Sequence, residues 1–157
     1  MNYFQYIEKD NRTIEELKEF FLNEYPKYYE IWRKGYWETK FTGVGMAVAL
    51  YLTGYIHEYR PKSIVEYGSG MTTLLMSTIL EDLNYGGSIS TFEDDHKYYS
   101  LGESTGLYSK MNGKNKIELT PVVVSDKKQC YYDHNINKID SVDFVLDDGP
   151  NINKYNC

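Results

Sequence analysis

A glycine-rich turn between an apolar run and a helix-like run constrains this chain more than any other feature. The run Ser63–Tyr67 is short, rich in β-branched residues, and contains one acid, Glu66. The turn at 68–70 reads Gly-Ser-Gly, and the segment Met71–Leu83 that follows has the composition of a helix. A strand, a tight turn and a helix in this order let a ligand approach the backbone closely, because glycine has no Cβ and tolerates positive φ.

A second acid, Glu93, ends another apolar run at 88–92. In a βαβ unit an acid at this place accepts hydrogen bonds from ribose hydroxyls. A dinucleotide favours the turn G-x-G-x-x-G or A, but here the third position is Thr73 instead of a small residue. S-adenosylmethionine has no pyrophosphate, and its cationic amine favours an acid before the turn, as Glu66 offers. A glycine turn that binds no ligand is a third interpretation.

The pattern E-x-G-S-G resembles motif I of the class I S-adenosylmethionine-dependent methyltransferases. Four later segments match that family in the same order: Glu93-Asp94-Asp95-His96 for E-H-D-P, Thr120-Pro121-Val122 for A-P-L, Tyr131-Tyr132-Asp133 for W-Y-D, and Asp147-Asp148-Gly149-Pro150 for V-D-G-P. The resemblance covers about residues 42–155. It is nearest to the branch of the family that carries D-G-P after the fourth strand.

Alternating strand-like and helix-like runs predict an α/β fold with a parallel sheet. We expect strands at 63–67, 88–92, 117–124 and 142–146, and helices at 13–25, 42–59, 71–83 and 95–107. Right-handed crossovers, together with the resemblance, give a Rossmann-like sheet of order 3-2-1-4. Residues 27–41 are expected to be an irregular aromatic segment, and residues 125–138 a loop or a poor helix. We divide the chain into an N-terminal helical and aromatic cap (1–41) and a cofactor-binding domain (42–157).

The resembled family has a seven-stranded sheet, and the last three strands have no counterpart in this sequence. We therefore expect an incomplete domain, either a natural half-domain or a fragment. The fourth strand would lie at an open edge of the sheet. Because bare edges pair readily with other strands, self-association through this edge is expected.

The resemblance implies cofactor-binding residues at the carboxyl ends of the first three strands: Glu66, Gly68, Ser69, Gly70, Thr72, Glu93, Asp94, Ser125 and Asp126. Glu66 would face the methionine amine and Glu93 the ribose hydroxyls. The alternatives are a helix-capping or solvated carboxylate for Glu66 and a surface acid for Glu93. Asp148, after the fourth strand, would be catalytic, either as a base or as a group that positions the acceptor. In the metal-dependent branch an acid there binds a divalent cation, which is the alternative for Asp148.

The formal net charge of −6 disfavours a general nucleic-acid binder, which usually has a basic face. Two cysteines are too few for a disulfide framework or a zinc site. The sequence contains no signal-like or membrane-spanning run, so we expect a cytoplasmic protein with no membrane partner. The expected function is methyl transfer from S-adenosylmethionine to a small-molecule hydroxyl or amine, without a metal. The alternatives are a non-catalytic cofactor-binding module and, less favoured, an NAD(P)-binding oxidoreductase domain.

Overall fold

The computed structural model describes residues 12–38, 44–104, 115–125, 130–132 and 141–147. These ranges contain five helices: α1 (Ile14–Glu24), α2 (Pro26–Glu38), α3 (Met46–Tyr59), α4 (Met71–Leu83) and α5 (His96–Ser104). They also contain six strands: β1 (Ser63–Tyr67), β2 (Ser88–Glu93), β3 (Lys116–Leu119), β4 (Val122–Val124), β5 (Cys130–Tyr132) and β6 (Phe144–Asp147). In these ranges, no helix has both the length and the apolar content of a membrane-spanning segment.

The main sheet is parallel and has the order β3-β2-β1-β6. This confirms the predicted α/β class and the predicted order, since β6 is the expected fourth strand. Strand β1 lies inside the sheet, and its residues Ile64, Val65 and Glu66 are all buried. A central parallel strand is covered on both faces, which explains why its sequence does not alternate between apolar and polar residues. The carboxyl ends of β1, β2 and β6 meet at one edge of the sheet.

The main core lies between one face of the sheet and helices α1 to α4. Its buried members come from every one of these helices and from β1 and β2: Phe20, Phe21, Tyr28, Tyr29, Ala49, Leu50, Leu52, Ile56, Ile64, Leu75, Met76, Ile79, Leu80 and Ile89. The first two helices therefore belong to the same hydrophobic core as the helices that flank β1. Burial of apolar surface of this kind is the main favourable contribution to folding.

The expectation of an irregular segment at 27–41 was wrong for residues 27–38, because helix α2 spans Pro26–Glu38; residues 39–41 lie outside the described residues. Proline fixes φ near the helical value and lacks an N–H, which the first turn of a helix does not need. The same residue therefore follows the end of α1 and starts α2. The start of α1 is as predicted, with a capping box between Thr13 and Glu16. Tyr28 and Tyr29 of α2 are buried, and the indole N–H of Trp32 donates to the carbonyl of Val44 at 2.9 Å.

The expected third strand at 117–124 is divided in the structure. Strand β3 ends at Leu119, and β4 turns away to pair antiparallel with β5, in the segment expected as a loop or a poor helix. The Thr120 N–H still donates to the carbonyl of Glu93 at 2.7 Å, but Pro121 has no N–H and ends the ladder. The β4–β5 hairpin packs on the second face of the sheet, where buried Tyr132 joins a small apolar cluster with β1 and β2.

Candidate functional site

The candidate site lies at the carboxyl ends of β1 and β2, where the glycine turn 68–70 leads into α4. The turn requires glycine at its first position, because Gly68 has φ of +85°. Each N–H of the turn donates within the protein: Gly68 to the carbonyl of Phe92 (2.8 Å), Ser69 to Oε2 of Glu93 (2.7 Å) and Gly70 to Oγ1 of Thr73 (2.9 Å). A phosphate-binding turn offers such groups to its ligand, whereas here they are engaged by the protein.

Glu66 is fully buried beneath this turn, between β2 and the start of α4. Its carboxylate accepts hydrogen bonds from three threonine hydroxyls: Thr72 at Oε1, and Thr73 (2.6 Å) and Thr91 (2.7 Å) at Oε2. Buried carboxylates are costly unless they are hydrogen-bonded, and these donors meet that need. A direct contact with a cofactor amine would require one of the hydroxyls to give way. The structure thus gives Glu66 a role at the start of the helix, and its cofactor contact stays a prediction.

Glu93 connects the end of β2 to the glycine turn. Its Oε2 accepts from both the N–H and the hydroxyl of Ser69, at 2.7 and 2.6 Å, and its Oε1 accepts from the N–H of Asp95 at 2.9 Å. Glu93 is buried and is therefore not the surface acid of the alternative interpretation. A ribose hydroxyl that reached this carboxylate would compete with the hydroxyl of Ser69.

An aromatic stack lies beside these acids on the second face of the sheet. The Tyr67 ring stacks on Tyr132 with centroids 5.1 Å apart and on Phe92 at 5.8 Å. The hydroxyl of Tyr132 donates to Oδ1 of Asp94 at 3.2 Å. Burial, together with the Asp94 and Glu93 carboxylates, raises the pKa of Tyr132 far above its ordinary value. The phenol therefore stays protonated and keeps its hydrogen bond to Asp94. This bond and the stacking on Tyr67 hold the β4–β5 hairpin against the carboxyl ends of β1 and β2.

Helix α2 packs directly against the first turn of α4. Met71 is buried there among partly buried side chains of three helices, including Ile31, Tyr98 and Leu101. A Cβ at Gly35 would lie only 1.7 Å from the Met71 sulfur, so a side chain at this position would require the Met71 side chain to move. Helix α2 therefore packs against the start of α4, directly after the glycine turn.

The structure separates some of the predicted site residues and leaves others undescribed. The hydroxyl of Thr72 points to Glu66 within the protein. Ser125 follows β4 and not the third strand of the main sheet, so the premise of its assignment was wrong. Asp126 and Asp148 lie outside the described residues. In the described ranges, no three His, Cys, Asp or Glu side chains are grouped as metal ligands.

Sequence reasoning missed Thr73 and Thr91. Thr73 was considered only as a departure from the dinucleotide pattern. Thr91 could have been found from the register of β1 and β2, because Glu66 and Thr91 are paired and therefore share one face of the sheet. A buried acid on that face needs hydroxyl or amide donors from its neighbours.

The charged side chains at the ends of β1, β2 and β6 are carboxylates: Glu66, Glu93, Asp94, Asp95 and Asp147. An edge with this charge attracts cations and repels phosphate groups. Burial, and then the negative charge of Asp147 at this edge, raise the pKa of the Tyr67 phenol.

The fold is similar to that of solved methyltransferase structures. A Podospora anserina methyltransferase, PaMTH1, crystallised with S-adenosylhomocysteine, matches 93% of this chain and 55% of its own with a TM-score of 0.55 and 16% identity. A candidate O-methyltransferase from Klebsiella pneumoniae matches 67% of this chain and 50% of its own, with a TM-score of 0.47 and 14% identity.

The amino-acid sequence matches no protein-family model and no curated protein sequence. The chain spans about half the length of the two solved structures. At these identities the likeness concerns the arrangement of the backbone, and it shows that the chain has an α/β, Rossmann-like fold.

Proposed function

We propose that this chain binds S-adenosylmethionine at the glycine turn and transfers its methyl group to a small-molecule hydroxyl or amine. The observation that carries the proposal is the position of Glu93, whose carboxylate ends β2 and touches the turn through Ser69. A carboxylate has two oxygens and can accept from two vicinal ribose hydroxyls. The similar Podospora anserina protein was crystallised with S-adenosylhomocysteine, which agrees with this assignment.

Charge and hydrogen bonding at the turn favour S-adenosylmethionine over a dinucleotide. The pyrophosphate of a dinucleotide carries negative charge and needs free N–H groups. Here the N–H groups of Gly68, Ser69 and Gly70 already donate to protein acceptors, and the adjoining strand ends carry carboxylates. S-adenosylmethionine brings a sulfonium and an ammonium group, both of which suit an acidic edge.

The bound cofactor would supply an activated methyl group, because its sulfonium is a good leaving group. The protein's contribution would then be binding and alignment of the two reactants, which can account for a large part of a barrier reduction. We assign to Asp148 the positioning of the acceptor or the removal of its proton. Glu93 would hold the ribose, and the turn would set the distance between the cofactor and the end of β1.

A non-catalytic module that binds the same cofactor is the second candidate. It is favoured by one observation, that the hydrogen bonds of Ser69 to Glu93 and of Thr73 to Glu66 hold the glycine turn in place, an arrangement that serves binding. The two candidates differ in turnover. An enzyme would convert S-adenosylmethionine to S-adenosylhomocysteine in the presence of small phenols, catechols or amines, whereas a module would bind both without conversion.

Calorimetric titration with S-adenosylmethionine, S-adenosylhomocysteine and NADH tests the proposal. We expect the first two to bind and NADH not to bind. Glu93→Ala should weaken the binding of S-adenosylhomocysteine by about tenfold or more, because hydrogen bonds to a charged group contribute about 1.5–3 kcal/mol each. Glu118→Ala removes an exposed acid from the neighbouring strand β3 and should bind normally. Unchanged binding by Glu93→Ala would remove the ribose assignment, and binding of NADH alone would reverse the ranking of ligands.

A further inference from the structure

The buried carboxylate of Glu66 links strand β2 to the glycine turn through a continuous series of hydrogen bonds. The Gly70 N–H donates to Oγ1 of Thr73 at 2.9 Å, and the same hydroxyl donates to Oε2 of Glu66 at 2.6 Å. Thr91 donates to that same carboxylate oxygen at 2.7 Å from the middle of the sheet. Thr73 can do this because a hydroxyl is both a donor and an acceptor.

The series is buried along its whole length. Glu66, Thr73 and Thr91 are each no more than 1% exposed, so water does not replace a hydrogen bond that is removed. Hydrogen bonds in such surroundings polarise one another, and an unpaired buried group is costly. Loss of one donor to Glu66 should therefore affect the position of the carboxylate and of everything attached to it.

We propose that Thr91 is a positioning residue for the cofactor site, which acts through Glu66 and Thr73 on the amide of Gly70. Thr91 lies within β2 on the face covered by helices, two residues before Glu93. It fixes one side of the Glu66 carboxylate, and Thr72 and Thr73 fix the carboxylate to the first turn of α4. The turn is thereby held between two acids, with Glu66 below it and Glu93 at its side.

The identity of the ligand in this proposal rests on the proposed function, whereas the effect of Thr91 on the glycine turn does not. Two measurements separate them: the exchange protection of the Gly70 amide in the ligand-free protein, and the affinity for S-adenosylhomocysteine. The variants are Thr91→Val, which keeps the shape and removes the hydroxyl, and Thr91→Ser, which restores a hydroxyl. Thr53→Val is the matched control, because Thr53 is equally buried but donates to the carbonyl of Ala49 within α3.

We expect Thr91→Val to lower the protection of the Gly70 amide, and the affinity for S-adenosylhomocysteine, by about five- to tenfold, the effect of one lost buried hydrogen bond. Thr91→Ser should recover most of both, and Thr53→Val should change neither by more than about twofold. If Thr91→Val does not fold, Thr91→Ala removes the hydroxyl without placing a methyl group against the carboxylate.

Normal Gly70 protection in Thr91→Val or Thr91→Ala, or equal losses in Thr53→Val, would overturn the proposal. A wild-type protein that does not bind S-adenosylhomocysteine, but whose Gly70 protection falls in Thr91→Val, would contradict the proposed function and leave the positioning role supported. Normal affinity despite lowered protection would show that the turn is not part of the ligand site, and would overturn the role of Thr91 in cofactor binding.

Discussion

Replacing Ser69 by alanine removes one of the two hydrogen bonds that join the glycine turn to Glu93. The hydroxyl donates to Oε2 at 2.6 Å, and the N–H, which alanine keeps, donates to the same oxygen at 2.7 Å. A hydrogen bond to a charged group contributes about 1.5–3 kcal/mol. Ser69 is partly exposed, so water can replace part of this contribution, and we expect the free energy of unfolding to fall by about 1–2 kcal/mol.

The effect on ligand affinity should have the opposite sign. If a ribose hydroxyl takes the place of the Ser69 hydroxyl on Glu93, the wild-type protein must break that bond to bind. The variant has no such bond to break, so its affinity for S-adenosylhomocysteine should be unchanged or should rise by up to about tenfold. Calorimetry measures the affinity, and chemical denaturation measures the stability.

Ser77→Ala is the control for this experiment. Its hydroxyl donates to the carbonyl of Leu74 at 3.1 Å in α4, away from Glu93, so affinity should not change. A loss of affinity greater than about threefold in Ser69→Ala, with normal affinity in Ser77→Ala, would refute the reasoning. That result would mean that the Ser69 hydroxyl contacts the cofactor instead of competing with it.

Three further predictions concern the hairpin, a histidine and the sheet edge. Tyr132→Phe should lower stability by about 1 kcal/mol in denaturation, through loss of the bond to Asp94; no change would mean that stacking alone holds the hairpin. Burial, and then the charge of a nearby arginine, lower the pKa of His57, so protonation favours unfolding and stability should fall as pH drops below 6.5. Between pH 7.5 and pH 5.5 the melting temperature of His57→Phe should fall less than that of the wild type, and equal falls would contradict this prediction. Self-association through β6 stays a prediction, and sedimentation should show dimers of the wild-type chain. Val145→Lys should abolish them, because Val145 on β6 is 53% exposed, whereas Val48→Lys on α3 should not. A monomeric wild type would disprove the prediction.

The central part of the fold could be predicted because its local signals agree with its packing. The turn 68–70, the helix after it and the two flanking strands lie where the apolar runs and glycines indicate, and β1 and α4 have the predicted bounds. Two of the errors involve prolines. The first helix was expected to end before Pro26, and no helix was expected after it, although proline can also start a helix. Pro121 was placed inside a strand, although it cannot continue a ladder.

The candidate site was only partly predictable, because its acids are easier to recognise than their partners. Glu66 and Glu93 stand out as acids at the ends of apolar runs. Their hydrogen-bond donors depend on strand register and on the first turn of α4, which sequence spacing does not specify. Thr73 and Thr91 are therefore visible only once β1 and β2 are paired. The role of Tyr132 depends on a hairpin that no local pattern indicated.

The pairing of β1 with β6 has a consequence for the order in which the chain folds. The Asp143 carboxylate, just before β6, accepts from the Ser63 N–H across 80 residues of chain, whereas the Thr91–Glu66 bond between β2 and β1 spans 25. Closing the longer loop costs about 1 kcal/mol more in chain entropy, by the logarithmic dependence on loop length. Among the described strands, β6 also pairs on one side only, with β1. The β1–α4–β2 unit can therefore form first as a local nucleus, and β6 should join it late and open first in the native state.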